Sequence, residues 1–313
     1  MPSDPTVVFM GTPDFAVPTL KALHRSTFDL RMVVTQPDRP KGRGRMLTPP
    51  PVKLAAQEMD CQIVQPPDIK ESEFCDQLRS LAPDFLVVAA FGQILPRRVL
   101  EIPRYGPINV HASILPKYRG PAPIQWALIR GERVTGVTTI LMDHGVDTGD
   151  MLLTAETPVR AEDTAASLHD RLADIGAEVL VKTLLGLVDG SIHPVAQNHT
   201  LATYAPMLTK KSGCIDWTKP AWEIDALIRA MTPWPGAYCR YQNQRLKIHK
   251  AKAIQETACE APGTVVAGFP DELRIATAEG TLLIQEIQSA SGKRMPIKDF
   301  LHGTPIPPGK EFK

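Results

Sequence analysis

Aromatic residues are scarce in this 313-residue chain, at 6%, and no uninterrupted run of about 18 apolar residues occurs, so a membrane-spanning helix is not expected. Cysteine is scarce too. Cys61, Cys75, Cys214, Cys239 and Cys259 are scattered and odd in number, with no C-x-x-C pair. That pattern argues against a zinc knuckle or a disulfide framework and fits a reducing cytoplasm. The first ten residues contain no basic segment followed by a long apolar one, so no secretory leader is expected. Phosphate-cradling glycine motifs are missing as well. Gly11-Thr12-Pro13-Asp14 is not G-x-G-x-x-G, and no G-x-x-x-x-G-K-[ST] appears, which weighs against a nucleotide cofactor. Nor is there excess charge of either sign, with 35 Lys and Arg against 34 Asp and Glu.

What is present is ordinary globular material: 43% hydrophobic and 22% charged residues, enough apolar content to exclude wholesale disorder. At roughly 150 residues per domain, two domains are expected. The even charge balance hides an asymmetry. Residues 1–207 hold 20 Lys and Arg and 23 Asp and Glu, a net −3; residues 208–313 hold 15 and 11, a net +4. The first half alternates apolar runs (residues 6–10, 30–35, 61–65, 84–90, 108–111) with helical stretches at 16–23, 52–59 and 71–81. Such alternation predicts an α/β domain with a parallel sheet buried on both faces, whose ligands bind beyond the carboxyl ends of the strands. A long amphipathic helix is expected over 163–188, and residues 191–212 lose periodicity and read as a linker. The last hundred residues carry short β-like runs at 237–241, 246–252, 263–267, 273–277 and 281–288, with turn signals every 8–12 residues. That spacing favours a small β-barrel.

Four segments carry chemistry. In Ile108-Asn109-Val110-His111-Ala112-Ser113, an apolar strand delivers an amide and an imidazole two residues apart, hence on one face. An imidazole can relay a proton and an amide can donate to a developing oxyanion; His111 as a mere cap of the strand end remains open. Met142-Asp143-His144-Gly145-Val146-Asp147-Thr148-Gly149-Asp150 packs three aspartates and two glycines into one loop. Its spacing is not an EF-hand, and no metal is expected. Asp147 can instead orient a catalytic histidine, with a solvated turn as the alternative. Gln36–Met46 places Arg39, Lys41, Arg43 and Arg45 among Gly and Pro beside the second strand. A basic loop there suits a polyanion such as RNA, or is simply solvated. A second basic stretch, Arg240, Arg245, Lys247, Lys250 and Lys252, spans 13 residues without an acid and is interleaved with Tyr238 and Tyr241. It suits a nucleic-acid backbone or an ordinary strand face. Trp217, Trp222 and Trp234 read as packing residues.

The motifs G-T-P-D-F, T-Q-P-D-R-P, A-F-G-Q-I-L-P, N-V-H-A-S-I-L-P, Y-R-G-P-A-P-I, M-D-H-G-V-D-T-G-D, I-D-W and P-W-P-G-A-Y together closely resemble the bacterial methionyl-tRNA formyltransferases, within the formyl-tetrahydrofolate-dependent transferases, over nearly the whole chain. The resemblance implies a Rossmann-like N-terminal domain (1–190), a linker (191–212) and a C-terminal OB-like β-barrel that binds tRNA (213–313). It implies 10-formyltetrahydrofolate as formyl donor, initiator methionyl-tRNA as acceptor, no metal and no membrane, and a cytoplasmic monomer is expected. It carries Asn109, His111 and Asp147 over as the catalytic trio and Ser113, Ile114, Leu115 and Pro116 over as the folate-lining stretch. The loop with Arg39, Lys41, Arg43 and Arg45 matches the segment engaging the acceptor arm. Arg245, Lys247 and Lys250 are expected to meet tRNA phosphates. Ala112 and Ile114 stand where Gly and Leu are commoner, and Pro121 where Ala is frequent; these leave the trio untouched. Alternatives are a formyl-folate enzyme acting on a small amine, a formyl-folate hydrolase, and an RNA-binding module without catalysis.

Overall fold

The computed structural model describes residues 4–41, 46–267 and 271–313. The chain divides into two compact units. The first comprises Met1–Gly120, Val134–Thr157 and His169–Tyr204; the second comprises Pro121–Arg133, Pro158–Leu168 and Ala205–Lys313. Residues 191–212, expected as a linker, are thus shared between the two units, and they include the buried Gln197, Ala205 and Leu208.

In chain order the first half forms β1 (Thr6–Gly11), α1 (Ala16–Arg25), β2 (Asp29–Val34), β3 (Arg39–Lys41), β4 (Met46–Thr48), α2 (Pro51–Glu58), β5 (Ile63–Val64), α3 (Ser72–Leu81), β6 (Phe85–Ala89), α4 (Arg97–Leu100) and β7 (Pro107–His111). Then come α5 (Pro123–Ile129), which belongs to the second unit, β8 (Val134–Leu141), β9 (Met151–Pro158) and the long α6 (Ala165–Asp189). Seven strands make one sheet in the order β5-β2-β1-β6-β7-β8-β9. The pairs β2–β5, β1–β2, β1–β6 and β6–β7 are parallel, as expected, whereas β7–β8 is antiparallel. The central strands are continuous apolar runs because both faces are covered: Val7 to Met10 are fully buried, as are Phe85 and Val87. One face packs Val8, Met10, Met32, Val34, Leu86 and Val88 against Phe74 and Leu78 of α3 and Val99 of α4. On α6, a Cβ at Gly176 would run into Val110 Cγ1, so the absence of a side chain there sets how closely helix and sheet approach. The consequence for function is geometric. The parallel strands β1, β2, β6 and β7 all end on one edge of the sheet.

The second unit adds α7 (Ala221–Ala230), β10 (Ala237–Tyr241), β11 (Gln244–Ile254), β12 (Leu273–Ala276), β13 (Thr281–Ser289), β14 (Met295–Pro296) and α8 (Ile297–Gly303). Its antiparallel sheet runs β10-β11-β13-β12, with β14 on β13. The last residues close it into a ring. Lys313 exchanges backbone hydrogen bonds with Arg240 on β10, Phe312 donates to Gly263, and Val265 donates to Lys310. Residues 263–266 in turn bond to Arg274 and Ala276 on β12. Inside lie Ile215, Trp217, Cys239, Tyr241, Leu246, Ile248, Ile275, Leu282, Ile284 and Phe312. Two features differ from expectation. Residues 263–267 form only isolated bridges, Thr264 to Glu311 and Val265 to Ile275. The unit also holds α7 and α8 where strands alone were expected. In Ala221-Trp222-Glu223-Ile224-Asp225-Ala226-Leu227-Ile228, residues 221, 224 and 228 are buried at helical spacing, a short signal masked by the neighbouring strands.

Candidate active site

The carboxyl end of β7, its antiparallel partner β8 and the loop that follows β8 assemble the polar cluster. Asn109 and His111 lie on β7, opposite Ile140 and Thr138 of β8. Period two keeps them on the same side, and the loop after β8 brings Asp147 to both. Asn109 Nδ2 donates to Asp147 Oδ1 at 3.3 Å. His111 Nδ1 lies 3.6 Å from the same oxygen, with the imidazole 7% and the carboxylate 15% exposed. The second carboxylate oxygen accepts the Gly120 backbone N–H at 2.8 Å.

His111 Nε2 meets the Tyr118 carbonyl at 2.9 Å. A carbonyl only accepts, so Nε2 carries a proton, and the neutral ring then turns the bare Nδ1 toward a carboxylate. Only the imidazolium presents an N–H to both acceptors. Asn109 spends one amide hydrogen on Asp147 and keeps a second for another acceptor.

The turn after β7 is held by Thr138, whose hydroxyl donates to the Ser113 carbonyl at 2.8 Å and accepts the Leu115 N–H at 3.2 Å. Ser113 donates its own hydroxyl to the Lys117 carbonyl at 2.6 Å. Ser113 and Leu115 are buried, while Ile114 and Pro116 reach partial exposure. The first pair shapes the turn; the second pair faces outward. Nearby, the end of β6 turns sharply, with Ala90 at φ +46° and Gly92 at +82°. Thr12 and Gln36, from the ends of β1 and β2, both donate to the Phe91 carbonyl, at 3.0 and 2.8 Å. The ends of four parallel strands thus contribute to one edge.

In the loop 142–150, Asp143 accepts from the Gly145 N–H and the Thr148 hydroxyl, so it organises the turn. Asp147 itself has φ +54°, a left-handed conformation that costs a non-glycine residue energy unless its surroundings hold it. Sequence reasoning misses the residues that hold it. Gln197 Nε2 donates to the carbonyls of Asp147 and Gly149 at 2.9 and 2.7 Å, and Arg119 donates to Gln197 Oε1. Arg119 belongs to the motif Y-R-G-P-A-P-I, where nothing local assigns it a role, and Gln197 is a single amide in an aperiodic stretch.

The basic segments are arranged differently. The ends of the first pair as β3 and β4, Arg39 opposite Thr48 and Lys41 opposite Met46. Arg43 and Arg45 lie outside the described residues. The entry to β3 is tied down: Lys53 of α2 donates to both oxygens of Asp38 at 2.8 Å, and Gln65 donates to Asp38 Oδ1 and the Gln36 carbonyl, each at 2.8 Å. These hydrogen bonds, that of Lys53 first, hold the Asp38 carboxyl below its ordinary value.

In the second unit, Arg240 lies opposite Arg245 and Tyr238 opposite Lys247, and the Arg245 guanidinium stacks 3.5 Å from the Tyr238 ring centroid. Strict alternation from buried Leu246 and Ile248 would turn Lys250 and Lys252 inward. A bulge between Ile248 and Lys250 resets the phase, so Lys250 and Lys252 are exposed while Ala251 packs against the core. Trp217 is buried as expected; Trp222 and Trp234 are 51% and 57% exposed. Burial, with Cys214 nearby as a smaller cause, pushes the Cys239 thiol up to about 12, which removes it as a nucleophile. Among the described residues no group of three His, Cys, Asp or Glu is arranged to hold a metal, and no helix is long and apolar enough to cross a membrane.

Comparison with known proteins agrees with this architecture. Residues 6–184 match the family described as formyl transferase, and residues 207–305 match the formyl transferase C-terminal domain. The chain is 49% identical over 307 residues to methionyl-tRNA formyltransferase of Pelobacter propionicus, covering 98% of this chain and 96% of that one. Among solved structures, an N-formyltransferase from Helicobacter canadensis, determined with folinic acid and dTDP-3-aminofucose, shares the fold at TM-score 0.66 and 18% identity, covering 89% of this chain and 98% of that one. HypX from Aquifex aeolicus shares it at TM-score 0.61 and 18% identity over 96% of this chain, which spans 48% of HypX. With more than half of its length matched by the first model and most of the remainder by the second, the chain belongs to the formyl transferase family.

Proposed function

We propose that this enzyme transfers the formyl group of 10-formyltetrahydrofolate to the free amino group of methionyl initiator tRNA, acting as a monomer in the cytoplasm. The observation that carries the chemistry is the convergence of Asn109, His111 and Asp147 at the carboxyl edge of the sheet. The acceptor is supported by the relationship to methionyl-tRNA formyltransferases at nearly full length and by the net +4 of residues 208–313. Scattered free cysteines fit a reducing compartment.

The amine attacks the formyl carbon, and negative charge grows on the formyl oxygen. The spare amide hydrogen of Asn109 and His111, when its ring is protonated, stabilise that charge, the largest single effect in most acyl transfers. Asp147 receives the proton of the attacking nitrogen. Collapse breaks the bond between the formyl carbon and the folate N10, and the proton passes to that nitrogen. Positioning of the two substrates contributes the rest. Ile114 and Pro116 offer the outward surface for the folate, with Ser113 and Leu115 fixing the turn beneath. Arg39, Lys41, Arg43 and Arg45 of the segment 36–46, and Arg245, Lys247 and Lys250 of β11, engage tRNA phosphates.

The test is a labelled-formyl transfer assay with charged initiator tRNA, charged elongator tRNA and free methionine. Formylation of the charged initiator alone is expected. Formate release without any amine would identify a hydrolase and overturn the proposal.

A further inference from the structure

Three consecutive residues, Tyr118-Arg119-Gly120, bracket the trio. The Tyr118 carbonyl accepts from His111, and the Gly120 N–H donates to Asp147. Between them, the Arg119 side chain reaches Gln197. Gln197 uses both amide hydrogens, one on the carbonyl of Asp147 and one on that of Gly149. Its oxygen is filled by Arg119 Nε and Nη2 at 3.2 and 2.6 Å, and Nη2 also lies 3.0 Å from His199 Nδ1. The segment carrying Gln197 is itself tied to the tripeptide: Arg119 N–H donates to the Thr203 carbonyl, and Tyr118 N–H to the Thr203 hydroxyl.

Arg119 is 2% and Gln197 5% exposed. Burying a guanidinium costs free energy, and here its side-chain partners are a neutral amide and an imidazole. Packing alone would be met by an apolar side chain at lower cost. What the pair supplies is direction: Arg119 fixes which end of the Gln197 amide faces the loop, and the amide in turn fixes the peptide planes that aim Asp147.

We propose that Arg119 and Gln197 are positioning residues for formyl transfer, acting only through Asp147; the inference rests on the role assigned above to that carboxylate. Gln197→Glu keeps the volume and the acceptor for Arg119 but loses both donors to the loop. Arg119→Met removes the orienting cation, and Arg119→Lys restores charge without the two-pronged geometry.

In a transfer assay with charged initiator tRNA, Gln197→Glu and Arg119→Met should each lower kcat by about 10- to 100-fold, the scale of a small misplacement of a reacting group. KM for tRNA and for the folate should stay within about twofold. Arg119→Lys should recover part of the loss. The double variant Asp147→Asn with Arg119→Met should be no slower than Asp147→Asn alone, because a positioning residue has nothing left to position. Unchanged kcat in Arg119→Met, or a further full loss on top of Asp147→Asn, would overturn the inference. Should Gln197→Glu fail to fold, the Arg119 pair and the double variant decide by themselves. Turnover by Asp147→Asn equal to the parent would instead sink the assignment of Asp147 to the chemistry, a separable result.

Discussion

The end of β7 and the outer face of β11 are opposites in how they treat charge. At β7, both carboxylate oxygens of Asp147 have protein partners, its neighbour His111 is buried, and hydrogen bonds come from residues 120 and 197, far apart in sequence. On β11, Lys250 and Lys252 are exposed, and the bulge at His249 turns them out toward solvent. The difference follows from the tasks. A group that moves a proton must be held in place before the substrate arrives. Cations that meet a polyanion act by releasing counterions, an effect that tolerates loose placement and sums over the phosphates engaged. The first arrangement should therefore fail abruptly and the second by degrees.

The largest effect is expected at the trio. Asp147→Asn, Asn109→Ala and His111→Ala should each lower kcat by roughly 100-fold or more, the usual cost of one lost oxyanion donor or its equivalent, with tRNA affinity nearly unchanged. The losses should not add, since the three groups act as a unit. Steady-state kinetics with tRNA binding measured separately checks this. Near-parental turnover in all three would erase the contrast between the two regions.

On β11 the expected change is graded. Replacing Arg245, Lys247 and Lys250 together by Ala should weaken tRNA binding, leave folate binding intact and flatten the log–log salt dependence. The slope should fall by roughly 0.7–0.9 for each phosphate that is no longer neutralised. Arg245 should contribute less than the lysines, because its guanidinium is already stacked on Tyr238. Titrations at several salt concentrations read both quantities. A slope identical to the parent's would make this face solvated surface and move the RNA site elsewhere.

How much of this could be read from residues alone depends on whether the signal was local. Asn109 and His111 sit two apart at a strand end, and Asp147 sits in a glycine-bracketed loop, so chemistry and position coincide in short motifs. Continuous apolar runs marked β1 and β6 because both faces of the sheet are covered. Gln197 had no such mark: its importance comes from a loop 50 residues away in sequence. The same holds for ring closure in the second unit, where Gly309–Lys313 reads as a polar tail although Phe312 stacks on Tyr241 at 5.0 Å between ring centroids. The bulge in β11 was equally hidden, since alternation alone predicts the wrong face for Lys250.

The smallest expected effect tests whether the β3–β4 pair carrying Arg39 belongs with the rigid region or the graded one. Its basic residues resemble those of β11, yet its entry is fastened like the trio, through Asp38, Lys53 and Gln65. Lys53 and Gln65 depress the Asp38 carboxyl, so the tie is fully present above the ordinary aspartate range near ~3.9. It is lost only as pH falls through the lower folded value. Between pH 5 and 8 the tie is thus constant, and any change in tRNA affinity there has another source. Asp38→Asn leaves the shape but removes the charge paired with Lys53. The pair is partly exposed, at 21% and 32%, where such ion pairs are weak. The expected outcome is a rise in KM for tRNA of no more than roughly fivefold, with kcat and folate KM unchanged and no new pH dependence between 5 and 8. A fall in kcat in place of a rise in KM would mean that the entry to β3 helps to hold the reacting groups, and would move it to the side of β7.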